Sequence, residues 1–170
     1  MRKASPDDLL FVSKSPKERL DYLAAGASIV ARTGYDMRGL RVKASLDRLS
    51  LASSFLKDAK TLYAANTSLK RTVVSRAYYA MYHALRAATF LSHGGDDHEQ
   101  HTVLPSKLPT DFPNHSTWQN VLKNARLERN RADYDPYPKK DDQFDDVARN
   151  LIADAAKLIA LTRTYIRSKS

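Results

Sequence analysis

The sequence predicts an all-α protein, an antiparallel up-and-down helical bundle of four to five main helices. Three observations carry that expectation. Glycine is scarce, at 5 of 170 residues, whereas alanine and leucine, both strong helix formers, recur over long stretches. Apolar residues return at three- and four-residue steps along several segments, the period of an amphipathic helix. No segment alternates apolar and polar residues as a half-buried strand does, and no internal repeat is visible.

The elements follow in chain order. Residues 1–15, with Ser5, Pro6, Ser13 and Ser15 and little periodicity, read as a loose arm holding at most one short turn. Pro16 suits a first helical turn, and Lys17 to Arg32 reads as a short helix through Leu20, Leu23, Ala24 and Ala27, ended by Gly34. The chain then divides into an N-terminal arm with a short helix, residues 1–36, and a bundle, residues 37–170. From Met37 to Ala65, Val42, Leu46, Leu49, Ser53, Leu56 and Tyr63 mark one stripe, with Phe55, Ala59 and Leu62 beside it. Asn66, Thr67 and Ser68 interrupt the pattern, and Thr67 or Ser68 is expected to N-cap the next helix.

That helix, Leu69 to Leu91, places Val73, Ala77, Ala80, Met81, Ala84, Leu85 and Ala88 on one face. So many alanines predict close helix–helix approach. His93 to His115, with Gly94, Gly95, Pro105, Pro109 and Pro113, is a long connection with one short turn near Thr102 to Leu108. Connections of this length are usually functional or mobile. Ser116 with Gln119 predicts a capping box opening a helix that runs to Ala132, and Pro136 and Pro138 close it. Asp141 to Ile166 is the clearest helix, with Val147, Leu151, Ile152, Ala155, Leu158, Ile159, Thr162 and Ile166 on its core face. Asp141, Asp142, Asp145 and Asp146 suit its positive N-terminal end, and Arg163 and Arg167 its C-terminal end.

Composition narrows the function. A hydrophobic fraction of 42% is enough for a folded core. The absence of cysteine excludes disulfides, cysteine zinc sites and thiol catalysis, and fits a reducing cytoplasm. No run approaches the ~20 apolar residues of a membrane-spanning helix, and Asp7 and Asp8 interrupt any signal-like start. The expectation is a cytoplasmic protein without a membrane partner. A net charge of +9 favours a polyanionic partner such as nucleic acid, or an acidic protein.

Two stretches matter together: SRAYYAMYHALRA, Ser75 to Ala87, and RLERNRADYDPYP, Arg126 to Pro138. In order and spacing, with the closing helix, they resemble the HEPN superfamily over roughly Arg41 to Ile166, specifically a branch with a Ser-Arg-x-Tyr-Tyr-Ala helix and an Arg-x-Ala-Asp-Tyr-Asp motif. The resemblance implies a helical bundle, generally dimeric. It implies a metal-independent endoribonuclease, or a degenerate relative, in a toxin–antitoxin or phage-defence setting. The alternative it implies is a non-catalytic module binding nucleotide, RNA or a partner protein such as a nucleotidyltransferase-type antitoxin. Catalytic members carry an arginine followed four to six residues later by histidine. Here the fourth to sixth residues after Arg129 are Asp133, Tyr134 and Asp135, and no histidine stands at these offsets from Arg126 or Arg131 either.

On the motif helix Arg126, Asn130 and Tyr134 share a face at steps of four, and Arg129 and Asp133 pair beside them. Metal-free RNA cleavage needs a base for the 2′-hydroxyl, an acid for the leaving oxygen and positive charge for the phosphorane. Arg126, Arg129, Asp133 and Tyr134 are therefore the candidate catalytic residues, with Arg76, Asn130 and Arg131 as candidate nucleotide- or RNA-binding residues. The competing account is a solvated Arg129–Asp133 pair with Tyr134 plugging the core. A histidine from the long connection, His93, His98 or His101, could stand in for the missing one. No cofactor is expected. No metal is expected either: Asp96, Asp97, His98, Glu99 and His101 match no zinc signature and read as a solvated turn. In related toxins a tyrosine near this motif receives AMP from a partner nucleotidyltransferase, a role that would fall to Tyr134 or Tyr137.

Overall fold

The computed structural model describes residues 4–65, 68–96 and 98–169. The protein is all-α. Its helices are α1 (Pro6–Lys14), α2 (Lys17–Thr33), α3 (Met37–Ala64), α4 (Lys70–His93), α5 (His115–Tyr134) and α6 (Asp145–Lys169), with short 3-10 turns at Leu104–Lys107 and Asp141–Phe144. No helix among the described residues is long and apolar enough to cross a membrane. The chain forms two compact units, residues 1–40 and 41–170.

In the first unit, the expected loose arm is instead the helix α1. Ser5 accepts from the Asp8 amide (3.2 Å) while the Asp8 carboxylate accepts from the Ser5 amide (2.8 Å), a reciprocal capping box with Pro6 in the first turn. The Leu9–Val12 run is apolar on all sides, so the segment lacks the one-sided periodicity by which a helix is read. α2 starts after Pro16 and ends at Gly34, whose φ of 72° is the left-handed conformation glycine adopts without strain.

The second unit is built around α4, which is buried on almost every side by Val73, Val74, Ala77, Tyr78, Ala80, Met81, Tyr82, Ala84, Leu85, Ala87 and Ala88. Its alanines let α5 and α6 approach closely, and these make its main packing partners. α3 buries Ser45, Leu49, Ala52, Leu56 and Ala59, a stripe rotated from the expected one, so that Leu46 is 39% exposed. α6 contributes Ala148, Leu151, Ala155, Leu158, Ile159, Thr162, Tyr165 and Ile166.

Two expected caps differ. Thr67 lies outside the described residues, and Ser68 does not cap α4. The first free amides of α4 belong to Lys70 and Arg71, and both donate to the Asp141 carboxylate from the distant 3-10 turn. α5 begins two residues earlier than the Ser116 box requires, after Asn114 in the left-handed conformation (φ 54°) that asparagine tolerates. Ser116 therefore lies within the first turn, where it cannot serve as the N-cap.

The long connection between α4 and α5 is pinned down. Leu104, Leu108 and Phe112 enter the core. His93 Nε2 donates to the Lys107 carbonyl and His115 Nε2 to the Leu108 carbonyl, each at 3.1 Å. Tyr165 donates to Asp111 at 2.9 Å. A segment held at this many points presents its remaining side chains in fixed positions.

Candidate functional site

Arg129 is the hub of the motif helix. Its Nε lies 2.7 Å from Asp133, its Nη2 donates to the Tyr79 hydroxyl at 2.9 Å, and its Nη1 donates to Asn130 Oδ1 at 3.2 Å. The guanidinium also lies over the rings of Tyr79 and Tyr134, at 5.3 and 5.2 Å. Asp133 is further approached by the Ser75 hydroxyl at 3.4 Å. A carboxylate so engaged positions arginine; it is not a free base. Arg126, one turn earlier, is less committed, since its buried Nε has no hydrogen-bond partner among the described residues.

The motif's other residues separate by helix geometry. Tyr134 is 70% exposed at the end of α5. Arg131, two positions past Arg129 and so on the far side of the helix, pairs with Glu128 at 3.5 Å and covers Phe144. Arg76 is exposed on α4 and lies over Phe55, whose ring stacks on Tyr79 and His83 at 5.6 and 5.3 Å. It borders the Arg129–Tyr79 contact without touching it. Tyr137 is 65% exposed.

From the sequence, His101 is one of three loop histidines able to stand in for the missing one, with a capping or packing role favoured for it. His101 Nδ1 is 2.6 Å from the hydroxyl of Tyr78, and its ring stacks on Tyr82 with centroids 4.1 Å apart. Burial, then the neighbouring Tyr82, pushes the Tyr78 phenol well up, so it remains protonated and can serve the imidazole as donor or acceptor. Burial lowers the pKa of His101, and the charges of Arg129, Arg86 and Arg126 lower it further. Tyr82 in turn donates to the Glu99 carbonyl and accepts from Arg86 at 3.2 Å, fixing the segment that carries His101. His101 Nε2 has no hydrogen-bond partner among the described residues. The result is an imidazole whose protonated form is disfavoured, with Nδ1 held by Tyr78 and Nε2 unpartnered among the described residues.

The signal for this pairing was present but non-local. Tyr78, Tyr82 and Arg86 recur every four residues on α4, and a buried tyrosine hydroxyl requires a partner. Nothing in the local pattern chooses His101 over its neighbours. His93 is turned to a loop carbonyl, and His98 pairs with Asp96 at 3.4 Å. Among the described residues no group of three or more His, Asp or Glu side chains is disposed to hold a metal ion; Asp97 lies outside them.

The family model described as HEPN domain matches residues 45–165, so it spans α3 to α6 and takes in both the Tyr78–Tyr82 helix and the Arg126–Tyr134 helix. The chain belongs to the HEPN family. No curated protein and no solved structure matches it.

Proposed function

We propose that the second unit binds RNA at the phosphodiester and acts there as a metal-independent endoribonuclease, with His101 replacing the histidine missing after Arg129. The observation that carries this reading is His101 itself: its Nδ1 is tied to the Tyr78 hydroxyl, its Nε2 has no partner among the described residues, and burial with the charges of Arg129, Arg86 and Arg126 disfavours its protonated form. When the Tyr78 hydroxyl turns to accept from Nδ1–H, the Nε2 lone pair is free to take the proton of a ribose 2′-hydroxyl. The 2′-oxygen then attacks the phosphorus, and the 5′-oxygen leaves with a proton from water or from the imidazolium just formed. Arg126 offers an uncommitted guanidinium to the phosphorane, and Arg129, braced by Asp133, Asn130 and Tyr79, offers a pre-aligned one. Arg76 borders the site as a further phosphate contact; Arg131 lies apart from it.

The wider setting follows the family: a cytoplasmic toxin–antitoxin or phage-defence protein, acting as a dimer. The exposed Tyr134 and Tyr137 are open to a nucleotidyltransferase-type partner. One observation favours a second reading, binding without cleavage: Asp133 is already satisfied by Arg129, so it is not available as a second acid or base.

The test is incubation with a mixed RNA pool in EDTA. The wild type is expected to cut; Arg126→Ala/Arg129→Ala and His101→Ala, shown to be folded by circular dichroism, are expected to lose about 100-fold or more. Binding that weakens steeply with salt, without cleavage by any form, would establish the second reading.

A further inference from the structure

We infer that the α1 face formed by Asp7, Leu10, Phe11 and Lys14 docks on the same face of a second copy of this chain, about a two-fold axis between Leu10 and Phe11. This inference is independent of the ribonuclease reading, because it concerns only the first unit.

α1 has nine residues and buries none of them. Leu9, Leu10, Phe11 and Val12 are 50–60% exposed. Isolated helices this short are not stable in water, and a capping box adds only about 1 kcal/mol, so the helix needs something to cover it. α2 also has no buried residue, and it exposes Tyr22 and Leu23 beyond the α1 groove.

The occupant is indicated by the order of the residues. Asp7, Leu10, Phe11 and Lys14 stand at i, i+3, i+4 and i+7, so they share one face, and together with Ser15 and Arg19 they line a groove. The face is self-complementary when run backwards: Asp7 meets Lys14, and Leu10 meets Phe11. An antiparallel copy therefore joins opposite charges at both ends and apolar side chains in the middle, each contact occurring twice, as an isologous interface requires. Asp8 is consumed by the capping box, but neither Asp7 nor Lys14 has a hydrogen-bond or ion-pair partner among the described residues.

Charge points the same way. The first unit, residues 1–40, holds seven Lys/Arg and five Asp/Glu, a net of +2 in a chain of net +9, and α1 itself carries Asp7, Asp8 and Lys14, a net of −1. Copies can approach through α1 with little net repulsion, whereas RNA or an anionic membrane surface would call for a basic helix face.

Sedimentation equilibrium on the full chain tests the pairing with two single variants, Asp7→Lys and Lys14→Asp. Each opposes like charges at both contacts of its own homodimer, whereas an equimolar mixture restores opposite charges at both. The wild type is expected to show a concentration-dependent association step. Each variant alone is expected to weaken that step about tenfold, and the mixture to recover it. Recovery on mixing cannot come from a folding defect. A wild type without such a step, a step indifferent to both variants, or a mixture that fails to recover would overturn the inference.

Discussion

At the residue scale, His101 differs from an ordinary surface histidine through what surrounds it. Burial and the charges of Arg129, Arg86 and Arg126 disfavour its protonated form, so its pKa in the free protein lies below the usual ~6.5. The acid limb of kcat/KM, which reports the free enzyme, is therefore expected below pH 6.5; a limb at or above that value would mean that another group controls the rate. The same shift links to stability. Because the folded pKa is depressed, the contribution is fully present above about pH 6.5 and is lost as pH falls through the folded pKa.

At the scale of elements, the RADYDPYP stretch keeps its place because Arg71 gathers the carbonyls at the end of α5. Its Nη1 donates to the carbonyls of Ala132 and Asp135 at 2.8 and 2.9 Å, its Nη2 donates to the Pro138 carbonyl, and its guanidinium covers Phe144 at 4.6 Å. Arg71→Ala is expected to lower the stability of the second unit by about 2–3 kcal/mol, read as a lower urea midpoint. Arg71→Lys should recover only part of this, because an ammonium cannot span the same carbonyls. An unchanged midpoint for Arg71→Ala would remove Arg71 as the anchor. The sequence conveyed the length and order of α2 to α6 well, since each has either apolar periodicity or a clear stop such as Gly34. It hid what depends on distant residues: Asp141 capping α4, and Arg71 closing α5. It also hid α1, whose Leu9–Val12 run lacks helical periodicity although Ser5 and Asp8 encode its start.

For the whole molecule, most of the positive charge lies in the second unit. Residues 41–170 hold 21 of the 28 Lys/Arg and 14 of the 19 Asp/Glu, a net of +7, and include the Arg126–Arg129 site. Family and fold could be read from two short motifs and helix periodicity because both depend on local spacing. The candidate site could be read only by half. Arg126, Arg129, Asn130, Asp133 and Tyr134 are neighbours along one helix, whereas His101 reaches Tyr78 across 23 residues of chain. If His101 moves the proton at this site, small imidazole should restore what its removal takes away. Cleavage of a defined RNA in EDTA is measured with His101→Ala in the presence and absence of millimolar imidazole. The variant is expected to be slow and its rate to rise with added imidazole. A variant as fast as the wild type, or a slow one indifferent to imidazole, would contradict that role for His101.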